Sequence, residues 1–129
     1  MKYNAQEIKS FFGGRLIGNN FMKNIVSKTL LEFPNEVIEY VIKNCWILSS
    51  DPNAWAYTFK GSDLKDKHLI FLSDELLAES EYQIQFTLSH EIGHVILGHR
   101  NSINFRQSKH EIGKQEREAD QFAKKYLFQ

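Results

Sequence analysis

Two histidines four residues apart, with a glutamate after the first, are the side chains here best spaced for chemistry: His90-Glu91-Ile92-Gly93-His94. On a helix, positions four apart share one face. Two imidazoles so placed can grip one Zn²⁺ at about 2.0–2.1 Å each. Glu91 then lies beside the ion without binding it, positioned to take a proton from an attacking water. The chemistry implied is zinc-assisted hydrolysis, of a peptide bond first of all. Two interior histidines can also be merely hydrogen-bonded to their surroundings. The glutamate at this spacing weighs toward a metal, and the flanking elements have to support it.

A helix is expected around the motif. Ser80-Glu81-Tyr82-Gln83 has the form of a capping box, with Ser80 as N-cap and Gln83 reaching back. Gly98 is a C-terminal stop, so the spacing predicts a helix from about Glu81 to Leu97. Ile84, Leu88, Ile92, Val95 and Ile96 fall on one stripe of it. Phe86, His90, His94 and Leu97 fall roughly opposite, as in a central helix covered on both sides.

The third ligand must come from elsewhere. In the metzincin pattern a histidine follows six residues after the second one, but that position is Arg100 and the pattern's glycine position is Leu97. A carboxylate on a later helix is the alternative. The segment Glu116-Arg117-Glu118-Ala119-Asp120-Gln121-Phe122-Ala123 supplies candidates. Ala119, Phe122, Ala123, Tyr126 and Leu127 make the buried stripe of a helix from about Lys114 to Phe128. Glu116 and Asp120 sit on the edge of that stripe and point the same way, whereas Glu118 falls with Lys114, Gln121 and Lys125 as a surface carboxylate. Glu116 is the expected third ligand. Asp120, one turn on, is expected either to orient a ligand histidine or to cap or pair locally.

These two motifs together resemble the ImmA/IrrE group of small gluzincin metallopeptidases, whose members carry His-Glu-x-x-His and then Glu-x-x-Ala-Asn/Asp-x-Phe-Ala. The likeness extends over Phe71-Leu72-Ser73 and Phe86-Thr87-Leu88-Ser89, roughly Lys67 to Leu127. It implies a minimal gluzincin (zincin-like) core, with Glu116 as third ligand, Asp120 at the family's Asn/Asp position and zinc as cofactor. Relatives often act on a helix-turn-helix repressor of a phage, mobile element or stress system. The resemblance therefore implies a protein partner rather than DNA. Many relatives continue into further helices or a sensor domain; the end of the ligand helix close to Gln129 makes regulation by a fused module unexpected here.

Composition bounds the alternatives. The chain has 129 residues, expected to form a single domain over 1–129. Lys+Arg and Asp+Glu are equal at 16 each, which gives no general nucleic-acid surface. No stretch is long and apolar enough to span a membrane, and residues 1–20 lack a signal-peptide core. The single Cys45 rules out an internal disulfide framework, suits a reducing compartment and reads as a packed small hydrophobe. A cytoplasmic location is expected.

The elements that must hold the motif give an α+β order: N-terminal helices, a small three-stranded twisted sheet, the active helix, then the ligand helix. Asn4 to Phe12 predicts a short helix ended by Gly13-Gly14. Phe21, Met22, Ile25, Val26, Leu30 and Leu31 have helical spacing, as do Val37, Ile38, Val41 and Ile42 after Pro34-Asn35. Three strands are expected at Trp46–Ser49, at the alternating run Trp55-Ala56-Tyr57-Thr58-Phe59 after an Asp51-Pro52-Asn53 turn, and at His68–Leu72. Ser73 should cap a brief helix.

An edge strand beside the cleft can pair with an extended substrate; Leu69, Ile70 and Phe71 of the third strand are candidates, at even odds with the second strand. For an oxyanion donor, Tyr82, His99, Arg100, Arg106 and His110 are available without a choice among them, and His68 reads as a plain strand residue. Substrate choice falls to Asn101 to Lys114 or the N-terminal helices. The expected activity is a zinc endopeptidase acting on a protein. A zinc-stabilised module that sequesters its partner without cleaving it (an antirepressor or toxin-antitoxin component) is the alternative, with the Phe11-Phe12 pair as an interface. Retention of Glu91 favours catalysis.

Overall fold

Local capping chemistry starts the chain. In a computed structural model, which describes residues 3–49, 67–98 and 109–127, helix α1 spans Ala5–Phe12. The Asn4 side chain accepts from the Glu7 amide at 2.8 Å while the Glu7 carboxylate accepts from the Asn4 amide at 3.1 Å, satisfying two donors that the first helical turn leaves unpaired. Gly13, at φ 56°, stops the helix in a conformation that a side chain would strain. A 3₁₀ turn, Gly13–Arg15, leads into the short strand β1, Leu16–Ile17. Helix α2, Asn20–Leu30, opens on Asn19, and α3, Asn35–Asn44, opens after Pro34. Strands β2, Cys45–Ser49, and β3, His68–Leu72, follow. Ser73 caps the single turn α4, Asp74–Leu77, and Ser80 caps α5, Glu81–Ile96, where the Gln83 side chain donates forward to Thr87 at 3.2 Å, so that only the Ser80 half of the expected box forms. Helix α6, Lys109–Leu127, completes the described residues.

The α+β architecture and most expected boundaries hold, with one difference in the sheet. Among the described residues the three strands are β1, β2 and β3 in that order, all parallel. Parallel neighbours need a crossover, and α2 with α3 supplies it between β1 and β2. β1 therefore lies between helices rather than after them. Its two residues are too few to show a period-two pattern, so the sequence offers no signal for it. The expected strand at Trp55–Phe59 and its turn lie outside the described residues.

The register makes one sheet face the floor of the core. Leu16, Ile47 and Ile70 form a row across the three strands, all buried against Met22, Val26, Val41, Leu88 and Ile92. Along α2 and α3, Met22, Ile25, Val26, Leu30, Val37, Ile38, Val41 and Ile42 are buried as their spacing predicts. Phe21 and Leu31 drop out of that stripe and are exposed. Phe12 is 2% exposed and belongs to the core, so only Phe11 of the pair considered for an interface faces outward. In β3, Leu69 and Phe71 are exposed whereas Ile70 is buried. Any contact of Ile70 with a substrate is thereby limited to its backbone. Among the described residues no helix is long and apolar enough to cross a membrane.

Candidate metal centre

Helix α5 carries the histidines because both of its sides are occupied. Ile84, Leu88 and Ile92 are fully buried in the core, and Gly98 ends the element at φ 71° just past Leu97. A second side packs on α6. A Cβ built at Gly93 would stand 3.2 Å from both Cβ and Cδ1 of Phe122 and 3.3 Å from the Cα of Ala119, so the two backbones approach unusually closely there. Helix α6 is anchored from behind by its aromatic residues: Phe122 stacks on Phe33 at 5.5 Å, and Tyr126 lies 5.0 Å from the same ring. Ala119 and Ala123 are fully buried. Among the described residues the helix already runs from Lys109, five residues before its apolar stripe indicates, because these turns are polar and carry no periodic signal.

This crossing brings the expected residues together. His90 Nε2 lies 2.8 Å from Glu116 Oε2, His94 Nε2 lies 3.1 Å from Glu116 Oε1, and the two Nε2 atoms are 3.1 Å apart. One ligand atom from each of His90, His94 and Glu116 fits within a 4.8 Å group that could hold a metal ion. Asp120 pairs with His90, its Oδ1 2.7 Å from Nδ1. The histidine side chains are sunk, 15% and 8% exposed, and the carboxylates of Glu116 and Asp120 form the open rim at 52% and 47%. The α5–α6 pairs His94 with Glu116 and His90 with Asp120 run in antiparallel register.

The donor set tests the fit to a cation. A carboxylate only accepts, so the Asp120 contact places the hydrogen of a neutral His90 on Nδ1. The Nε2 lone pair then faces a Glu116 oxygen that also only accepts, at 2.8 Å, and a second imidazole nitrogen at 3.1 Å. Two acceptors 2.8 Å apart, His90 Nε2 and Glu116 Oε2, need a proton or a metal between them. Two imidazoles and a carboxylate, with a second carboxylate against one imidazole, fit the donor chemistry of a divalent-metal site.

The other candidates are less involved. Glu91 follows His90 on the helix and is half-buried, and its side chain makes no hydrogen bond to another described residue. Glu118 is not among the converging donors; it lies with Gln121 and Lys125, as its spacing indicates, and is half-buried beside Leu97 and Phe122. Tyr82 is exposed near the start of α5, its ring stacked 6.4 Å from Phe86. His110 is exposed in the first turn of α6. His99, Arg100, Arg106 and most of the Asn101–Lys114 segment lie outside the described residues. His68 meets the Tyr40 hydroxyl at 3.4 Å, on the strand rather than at the centre. Sequence reasoning passed over the close contact at Gly93; a glycine inside a strongly helical run was the available signal.

The sequence model of one family, described as Peptidase U49, matches residues 45–129. The matched span contains β2, β3 and both helices of the centre, and leaves α1 to α3 outside. No curated protein and no solved structure matches the chain.

Proposed function

The chain belongs to the Peptidase U49 family, and from that premise we propose that it is a zinc-dependent endopeptidase of gluzincin type. The observation that carries the reading is the convergence of His90, His94 and Glu116, inside the matched span, with Glu91 next to His90 in sequence. His90 and His94 would hold the ion through Nε2, and Glu116 through its carboxylate. Bound there, zinc supplies Lewis-acid polarisation of a peptide carbonyl and acidifies the attacking water.

The chain's own residues do the rest. Asp120 accepts from His90 Nδ1–H, fixing the tautomer that leaves Nε2 free to donate its lone pair. Glu91 takes the proton of the attacking water on its carboxylate and passes it to the departing amine. The sunken imidazoles and open rim leave approach from the side of Glu116 and Asp120. The substrate is proposed to be a protein segment presented in extended form, with Leu69 and Phe71 of β3 beside it. A helix-turn-helix repressor, implied by the ImmA/IrrE resemblance, is the first partner to test, in a cytoplasmic setting.

The test is co-expression with a neighbouring repressor, followed by mass analysis of the fragments. Glu91→Gln should keep zinc bound and slow cleavage by about 10²–10⁴, the scale of general-base catalysis. Undiminished cleavage by that variant would exclude the mechanism. The alternative, a non-cleaving zinc module, predicts partner capture with no fragments from either chain. Burial of Phe12 removes part of the interface it invoked, and retention of Glu91 speaks for the enzyme.

A further inference from the structure

We infer that Gly93 is a positioning residue for the centre: its missing side chain sets how closely α5 and α6 approach, and hence whether Glu116 reaches the two imidazoles. The inference rests on the metal reading above and adds to it the determinant of ligand spacing.

The geometry is specific. Gly93 stands three residues after His90 and one before His94; Ala119 stands three after Glu116 and one before Asp120. The tightest backbone contact between the helices is therefore flanked by the ligand and orienting side chains at the same offsets on both. A methyl group at Gly93 would meet Phe122 at 3.2 Å and the Ala119 Cα at 3.3 Å, closer than side-chain carbons ordinarily sit. Phe122 cannot simply swing aside, because Phe33 is stacked on it at 5.5 Å and Tyr126 lies 5.0 Å away. Relief must come from the helices moving apart by a few tenths of an ångström. Metal–ligand distances tolerate only about 0.2 Å. Glycine is also among the poorest helix formers, so its presence in the middle of α5 is otherwise unfavourable.

The test uses the full chain with cobalt(II) alone as probe, titrated by visible absorption, with thermal melting recorded in parallel. Gly93→Ala should fold and bind cobalt about ten- to a hundredfold more weakly, the loss seen when ligands are held off their geometry. Ala119→Ser, which enlarges the fully buried residue whose Cα stands 3.3 Å from that methyl position, should weaken binding in the same direction and decides the matter if Gly93→Ala does not fold. Val26→Ala, a core truncation in α2, supplies the comparison: it should lower the melting temperature and leave cobalt affinity at the wild-type value. Unchanged affinity in both contact variants overturns the inference, as does an equal loss in Val26→Ala. If the wild-type chain takes up no cobalt, the metal reading itself fails and takes this inference with it. If cobalt binds but the contact variants match wild type, only the role of Gly93 is lost.

Discussion

At the scale of single residues, the centre divides between groups that would hold a cation and groups that act on them. Glu116 touches both imidazoles, whereas Glu118, two residues on, faces Gln121 and Lys125 on another side of α6. A helix turns by about 100° per residue, so Glu116 and Glu118, about 200° apart around the axis, cannot serve the same point. Glu116→Ala should therefore lose most of its zinc by elemental analysis while Glu118→Ala retains a full equivalent. Equal zinc in the two proteins would refute the ligand choice. The Asp120 carboxylate lies 2.7 Å from His90 Nδ1, where it would orient the ring. Asp120→Ala is expected to weaken zinc about ten- to a hundredfold in competition with a chelator. Asp120→Asn, which keeps an oxygen acceptor and loses the charge, should fall between that variant and wild type. An Ala variant that binds as tightly as wild type would reduce Asp120 to a bystander.

At the scale of elements, the rigidity of α5 is separable from the chemistry it carries. Its first turn is held by the Ser80 hydroxyl, which accepts from the Gln83 amide at 3.2 Å. Removing such a cap costs about 0.5–2 kcal/mol. Ser80→Ala should lower unfolding free energy by about 1 kcal/mol in urea titration and leave zinc affinity unaltered, since His90 lies almost three turns from the cap. A large affinity loss in that variant would mean that fraying reaches the centre. The cap, the helix and the histidine spacing were all legible in the sequence because each is a local relation within one element. Glu116 and Asp120 were legible for the same reason: four residues apart, they had to share a face. What escaped prediction depends on distant partners or on too few residues. Strand β1 has only Leu16 and Ile17, and its identity comes from pairing with Ile47 and Leu48. The early start of α6 lies in a polar stretch, and Gly93 acquires meaning only once Phe122 and Ala119 are set against it.

At the scale of the whole molecule, Cys45 reports on the fold because it sits fully buried at the start of the central strand, β2. Burial pushes its thiol up to about 12 from 9.0, against the lowering pull of Arg15 and Lys67. The unfolded thiol ionises near 9 while the folded one still holds its proton. The stability this group contributes is thus fully present below pH 9 and is lost as the pH rises toward 12. In that window the unfolding free energy should fall by up to about 1.4 kcal/mol per pH unit from this one proton. Cys45→Ala should show a shallower alkaline slope, and an identical slope would place the titration elsewhere. Near neutral pH, alkylation of Cys45 by iodoacetamide requires an opening that exposes the middle of the sheet. An ion that links α5 to α6 stabilises the closed form by mass action, about 2.7 kcal/mol at one hundred times its dissociation constant. Where labelling proceeds by global opening, zinc at that level should slow it about a hundredfold in the wild-type chain. Glu116→Ala should gain no such protection, which separates binding at the centre from capture of zinc by the thiol. Equal slowing in both chains, followed by mass spectrometry, would show that the cation acts somewhere other than between the two helices.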